Sequence, residues 1–146
     1  MKNNRKWLLS MGLNLVTLAA VAQSSQPPPA VIEVFTKMFP AARNVDWKDK
    51  TANFTAFFNL NDRKCEAKFA KAGNWLNTEE TITWDSLPRP VQEAFKASKY
   101  AEWNPVSAYS IRSGEGTAEF HLVVSKIDQS RKILFFNPDG KLLADR

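Results

Sequence analysis

The sequence predicts an α+β domain of two repeated units, each a short helix packed on a four-stranded antiparallel sheet. Apolar residues first recur at helical spacing and then alternate with polar residues through several short segments, and this order occurs twice. Residues also match between the halves at offsets of sixty or sixty-seven positions. The matched residues are Val31, Glu33 and Phe35 with Val91, Glu93 and Phe95, and Phe69, Gly73 and Leu76 with Phe136, Gly140 and Leu143. A helix laid on one face of a sheet is an α+β layer arrangement.

The first unit, about residues 29–84, begins with a helix that spans about residues 29–39 and ends at Pro40. Its apolar stripe includes Val31 and Phe35. Strand patterns follow around Trp47 and on both sides of an Asn61-Asp62 turn. A further turn at Gly73 leads into a strand over about residues 75–84.

The second unit, about residues 85–146, has the same order of elements. Asp85 or Ser86 can cap a helix whose first turn tolerates Pro88 and Pro90. Strand patterns then cover about residues 106–112, 118–124, 131–136 and 141–144, and a tight turn over residues 137–140 separates the last two.

The amino-terminal residues have the features of a secretory signal peptide, residues 1–22. A basic start precedes an uncharged, mostly apolar stretch, and Ala20-Val21-Ala22 is a small-x-small cleavage site. Residues 23–28 are a proline-rich lead-in, and residues 29–146 form the domain. We therefore expect an exported protein, periplasmic or extracellular, with no membrane-spanning segment after cleavage.

The mature chain is nearly neutral. The whole chain has 20 basic and 15 acidic residues, and cleavage removes Lys2, Arg5 and Lys6, which leaves 17 basic residues and a net charge of +2. Proteins that bind nucleic acid depend on clustered Lys and Arg. The composition therefore argues against a nucleic-acid partner.

Several short motifs resemble those of the PepSY-like family of exported bacterial proteins, whose fold is similar to that of beta-lactamase inhibitor protein. The motifs are Pro28-x-x-Val31, Phe39-Pro40-x-Ala42, Val45-x-Trp47, Gly73-x-Trp75 and Leu87-Pro88. The resemblance covers about residues 27–146, but the second half has Lys99-Tyr100 where the first has Phe39-Pro40. It implies paired helix-and-sheet units and a binding or inhibitory role, and it supplies no catalytic residues.

The residue types needed for catalysis or metal binding are scarce. His121 is the only histidine and Cys65 the only cysteine, and the alternation predicts that Cys65 is buried with Ala67 and Phe69. His121 and Glu119 share a strand face, but a zinc site needs three or four ligands. We predict that the protein is not an enzyme and that it has neither a cofactor nor a metal site.

Apolar residues also occur at strand positions that point away from the predicted core. The inward set is predicted to be Phe54, Phe58, Phe69, Leu76, Phe120, Leu122, Val124, Leu134 and Phe136. The opposite, helix-free face would then carry Phe57, Trp75, Val123, Ile133, Phe135 and Leu142. Two interpretations stay open: these groups form a protein-binding patch, or they pack against one another or against a second layer.

We therefore predict an exported, non-catalytic binding module, with inhibition as one form of its action, that engages another envelope or secreted protein. Phe57, Trp75, Phe135 and Leu142 are predicted to form the centre of the partner site. The alternative is a small-molecule or glycan binder that uses Trp75 and Phe57 as stacking platforms. A homodimer formed through the helix-free face is also compatible with the sequence.

Overall fold

The computed structural model describes residues 26–146, and the expected signal peptide lies outside the described residues. These residues form two α-helices, one 3-10 helix and eight strands. In chain order the elements are α1 (Pro29–Met38), β1 (Arg43–Asp49), β2 (Asn53–Leu60), β3 (Arg63–Ala70), β4 (Trp75–Ile82), the 3-10 helix (Trp84–Ser86), α2 (Arg89–Lys96), β5 (Asn104–Ser113), β6 (Ala118–Ser125), β7 (Arg131–Phe136) and β8 (Leu142–Asp145). No helix among the described residues is long and apolar enough to cross a membrane.

Both helices have a proline in their first turn and bury two apolar residues one turn apart. In α1 the buried pair is Val31 and Phe35, and in α2 it is Val91 and Phe95. A proline is tolerated in the first turn because the first amide groups of a helix have no intrahelical acceptor. Residues four apart lie on the same side of a helix, so each pair is buried against the sheet.

All eight strands form one continuous antiparallel sheet in chain order. The prediction of two units, each with its own four-stranded sheet, is therefore wrong. β4 pairs with β5 through six residue pairs, from Asn77–Ser113 to Ile82–Ala108. A separate four-stranded unit would leave the backbone N–H and C=O groups along one side of β4 unpaired, and the pairing with β5 satisfies them.

Both helices lie on the same face of this sheet. Ala67 in β3 is in the cluster buried under α1, and it pairs with Thr78 in β4. Ile82, four residues further along β4, is in the cluster buried under α2. Paired residues share a face, and so do residues separated by an even number of positions along a strand. One face of the sheet therefore carries both clusters, and no helix of residues 26–146 lies on the other, which we call the helix-free face.

Candidate functional site

The helix-free face is defined by the strand pairing. Phe57 in β2 lies opposite Asp46 in β1 and Glu66 in β3, and Glu66 lies opposite Glu79 in β4. On the other half of the sheet, His121 in β6 lies between Tyr109 and Phe135 in its neighbouring strands. The large apolar side chains of this face are Phe57, Tyr109, Ile111, Val123, Ile133 and Phe135. All are exposed or only partly buried.

Trp75 does not lie on this face. Lys68 pairs with Asn77, but the next residue, Phe69, pairs with Trp75, so Leu76 is an extra residue in a β-bulge. A bulge shifts the alternation of side chains by one position. Trp75 therefore shares the helix side with Phe69, and the prediction that Trp75 is on the helix-free face is wrong.

The packing around Trp75 agrees with this assignment. Its half-buried indole packs against the cluster under α1, and its Nε1 donates a hydrogen bond of 2.9 Å to the Oγ1 of the buried Thr78. Leu76, by contrast, is 40% exposed. The prediction that Leu76 belongs to the core is wrong for the same reason.

Leu142 is displaced from the helix-free face by a second bulge. Phe135 pairs with Ala144, whereas Phe136 pairs with Leu142, so Leu143 is the extra residue. Phe136 is fully buried under α2. The register therefore places Leu142 on the helix side, and the prediction that it shares a face with Phe135 is wrong.

Phe57 and Phe135 do lie on the helix-free face, but the fold does not bring them together. Five strand spacings separate β2 from β7, which is about 24 Å along the sheet. Phe57 is 37% exposed and has carboxylates opposite it on both neighbouring strands. The four predicted residues therefore form no single cluster.

Phe135 is instead the centre of an apolar patch on the second half of the sheet. Its ring lies 4.4 Å from the His121 ring, centroid to centroid, and the guanidinium carbon of Arg146 lies 5.1 Å from its centroid. Tyr109 lies opposite His121, and the neighbouring row is Val123 opposite Ile133. We call Tyr109, His121, Val123, Ile133 and Phe135 the Phe135 patch. Val123 and Ile133 lie on this face as predicted.

Sequence reasoning did not assign Tyr109 to this patch, although the signal was present. Ala108 is buried under α2, and its neighbour Tyr109 must therefore point to the other face. Glu119 and His121 also share the face, with 3.3 Å between Oε2 and Nε2. Within residues 26–146 no three His, Cys, Asp or Glu side chains are grouped so that they could hold a metal ion.

Cys65 is buried, as predicted, on the opposite side of the sheet from the Phe135 patch. It is 5% exposed and belongs to the cluster under α1 with Ala67 and Phe69. Burial, and then the nearby Glu80 carboxylate, raise the pKa of the thiol. A thiol kept protonated in this way is a poor nucleophile.

The arrangement resembles several solved structures from Bacteroides. A DUF2874 family protein from Bacteroides ovatus is 28% identical with a TM-score of 0.77, covering 83% of this chain and 87% of its own. A BLIP-like protein from Bacteroides fragilis is 26% identical with a TM-score of 0.75, covering 83% and 86%. A predicted periplasmic protein from Bacteroides eggerthii is 24% identical with a TM-score of 0.78, covering 83% and 88%.

No protein-family model matches this chain, and no curated protein matches it. Membership of the PepSY-like family is therefore not shown. The similarity that is found is to the DUF2874 and BLIP-like structures. Each similarity extends over most of both chains, so it concerns the whole described domain rather than one half of it. The chain has the fold of the BLIP-like proteins.

Proposed function

We propose that this protein is an exported, non-catalytic binding module that engages another envelope or secreted protein through its helix-free face. The observation that carries the proposal is the Phe135 patch. Large apolar side chains that remain partly exposed on a sheet face, beside charged groups such as Glu119 and Arg146, match the anatomy of a protein interface.

The fold and the sequence both support this class of function. A BLIP-like protein is among the similar structures, and inhibition of an enzyme is the form of binding that the resemblance implies for this chain. The similar periplasmic protein and the signal-peptide features of residues 1–22 support export. We also propose that the domain belongs with the PepSY-like proteins, because its short motifs, from Pro28-x-x-Val31 to Leu87-Pro88, resemble theirs.

The partner site that we propose differs from the one predicted from sequence. Phe135 stays as the anchor, with Ile133 two residues along the same strand and Tyr109 on the far side of His121, all on the same face. Trp75 and Leu142 are excluded because both lie on the helix side. Phe57 lies on the correct face, but it is too distant from Phe135 to contribute to one cluster of anchors.

Affinity capture from the envelope fraction tests the proposal with three proteins: the parent, Phe135→Ser and Leu143→Ser. Leu143 is 48% exposed but occupies a bulge outside the patch, so it is the matched control. A genuine partner is retained by the parent and by the control. Removing an interface anchor costs about 2 kcal/mol or more, so Phe135→Ser should weaken binding of that partner at least about thirtyfold.

Thermal denaturation of the same variants separates binding from folding. Phe135→Ser should melt close to the parent, because the ring is only partly buried. If it unfolds, Ile133→Ser takes its place, since Ile133 is 39% exposed in the same patch. Equal capture by the parent and both patch variants would contradict the proposal. Self-association that is lost in Phe135→Ser would identify the partner as a second copy of this chain.

The alternative prediction was a glycan or small-molecule site formed by Trp75 and Phe57 together. The two side chains lie on opposite faces of the sheet, so they cannot form one site. Trp75 packs under α1, whereas Phe57 is on the other face.

A further inference from the structure

A cleft with both polar and apolar walls lies beside Phe57, at the end of the sheet that carries the β2–β3 turn. Asn59, two residues along β2 and on the same face as Phe57, pairs with Arg43 in β1 and with Lys64 in β3. Two adjoining cavities of about 320 and 190 Å³ open there, and both are lined by Asn44 and Asn59. Phe57 lines the smaller cavity, and the Asn61-Asp62 turn lines the larger.

Two local backbone features create this cleft. Asn61 and Asp62 form a two-residue hairpin turn in which both have positive φ, 50° and 62°, as a type I′ turn requires. Asn44, with φ 54°, occupies a bulge in β1 where the pairing shifts between Arg43 and Asp46. Asn and Asp tolerate this left-handed conformation better than other non-glycine residues. The turn and the bulge bring three asparagine side chains and one aspartate to the same cleft.

The polar side chains of this cleft have unused hydrogen-bonding capacity. Among the hydrogen bonds within residues 26–146, none uses the side chain of Asn44, Asn59, Asn61 or Asp62. Each amide offers both donors and an acceptor. The cleft therefore presents an array of groups that suits a ligand with several hydroxyls, each of which can donate and accept.

The charges in the cleft favour a neutral ligand. The larger cavity has one basic side chain, Arg43, and one acidic side chain, Asp62. The smaller cavity has Lys64 and Asp46. Each cavity thus has a formal charge of zero, which disfavours a phosphate or another multiply charged anion. A divalent cation is disfavoured too, because calcium and magnesium sites use several carboxylates.

We infer that the Phe57 cleft, formed by Phe57, Asn44, Asn59, Asn61, Asp62 and Arg43, binds a neutral sugar residue of a glycan. The face of an aromatic ring carries partial negative charge, and the C–H groups on the flat side of a sugar ring are its complement. Phe57, 37% exposed, supplies this apolar contact, and the amides supply hydrogen bonds to the hydroxyls. A small-molecule site of this kind combines an aromatic surface with a few placed polar groups.

This site is independent of the proposed protein-binding function. It lies on the first half of the helix-free face, about 24 Å along the sheet from Phe135 by strand spacing. One face would then carry a glycan contact at one end and a protein contact at the other. The two activities can be removed separately by substitution.

Saturation-transfer NMR with three disaccharides tests the inference: cellobiose, maltose and the β-1,4-linked dimer of N-acetylglucosamine. With the parent protein, saturation should reach the ring C–H protons of at least one of them at millimolar concentration. Phe57→Ser and Asn59→Ala should each weaken that binding at least tenfold. Phe57→Trp should keep it, because the larger ring preserves the stacking surface.

Phe135→Ser is the matched control and should bind the sugar as the parent does. Melting curves check that each variant is folded, and if Phe57→Ser is not, then Asn59→Ala decides. The inference is overturned if none of the three disaccharides receives saturation from the parent protein. It is also overturned if folded Phe57→Ser and Asn59→Ala bind as tightly as the parent, or if only Phe135→Ser loses binding.

Discussion

Phe69 and Trp75 lie directly opposite each other in β3 and β4, and both contribute to the cluster packed beneath α1. Phe69 is fully buried. Trp75 covers one side of this cluster and anchors its own indole through the hydrogen bond from Nε1 to Thr78 Oγ1. Trp75 therefore has a structural role in the first half of the sheet.

Replacing Trp75 with serine should destabilise the protein by about 2–4 kcal/mol, because it removes a large packed ring and leaves Thr78 without its partner. Leu76→Ser is the control, since Leu76 is 40% exposed in the bulge, and it should change stability by about 0.5 kcal/mol or less. Urea denaturation of the two variants measures the difference. Similar midpoints for both would contradict the register described here.

Most of the individual elements could be predicted from the sequence, since their signals are local. Helical spacing identified α1 and α2, and alternation correctly placed Phe54, Phe58, Leu134 and Phe136 on the core face. The two bulges could not be predicted in this way. An extra residue changes the face of every side chain beyond it, and neither Leu76 nor Leu143 differs in type from a regular strand residue.

The continuous sheet and the Phe57 cleft were missed for another reason. The pairing of β4 with β5 joins strands that are separated along the chain by α2, so no short pattern contains it. The cleft depends on a bulge residue, Asn44, that comes next to the Asn61-Asp62 turn only after β1 and β2 have paired. Both features are properties of the assembled sheet rather than of a segment.

Gly73 and Gly140 lie in turns, as predicted, and both have positive φ, but alanine should be tolerated differently at the two positions. A Cβ at Gly140 would lie 2.4 Å from the backbone oxygen of Pro90, whereas at Gly73 the nearest atom would be Ala30 Cβ at 3.5 Å. Gly73→Ala should therefore lower the free energy of unfolding by about 1 kcal/mol, mainly because alanine disfavours the backbone conformation. Gly140→Ala should lower it by about 2–4 kcal/mol, because the new Cβ would also clash with Pro90.

Gly116 offers the matched control for this comparison. It also has positive φ, 81°, but no atom of residues 26–146 lies within 4 Å of the position of a new Cβ. Gly116→Ala should therefore resemble Gly73→Ala in the free energy of unfolding. If all three variants proved equally stable, the close approach between Gly140 and the start of α2 would be disproved.

The stabilisation that Asp145 contributes through its ion pairs in β8 should depend on pH. The neighbouring Tyr100 hydroxyl, followed by the Lys99 ammonium group 3.3 Å away, lowers the pKa of this carboxyl from its ordinary value of 3.8. Lys132 Nζ lies 3.5 Å from its other oxygen. A folded-state pKa below the unfolded value means that the stabilisation is fully present above pH 3.8 and is lost as the pH falls through the folded value.

Asp145→Asn should consequently be less stable than the parent near pH 7, and the difference should shrink as the pH falls below 3.8. Denaturation curves at a series of pH values measure this, with Glu115→Gln as a control in the exposed loop between β5 and β6. If the difference in the free energy of unfolding between the parent and Asp145→Asn grew toward low pH, the proposed role of the Asp145 carboxylate would be contradicted.

Cys65 should be almost inert in the folded protein. Only the thiolate attacks a disulfide reagent, and two factors keep its concentration low. Desolvation of the thiol, and then the charge of Glu80, raise its pKa, so less thiolate is present at neutral pH. The sulfur is also covered, since the residue is 5% exposed in the cluster that contains Phe69. Reaction therefore requires the strand or the whole domain to open first.

We expect an aromatic disulfide reagent to label native protein at least tenfold more slowly than protein in concentrated urea, measured by the release of the coloured thiolate at pH 7.5. Trp75→Ser supplies an internal check, because a weakened cluster opens more often and should increase the native labelling rate. Leu76→Ser, which leaves the cluster intact, should label like the parent. Fast labelling of the native parent, or a covalent dimer that Cys65→Ser abolishes, would show that the thiol is accessible. In that case the packing of β3 beneath α1 would be looser than the contacts of Phe69 and Trp75 imply.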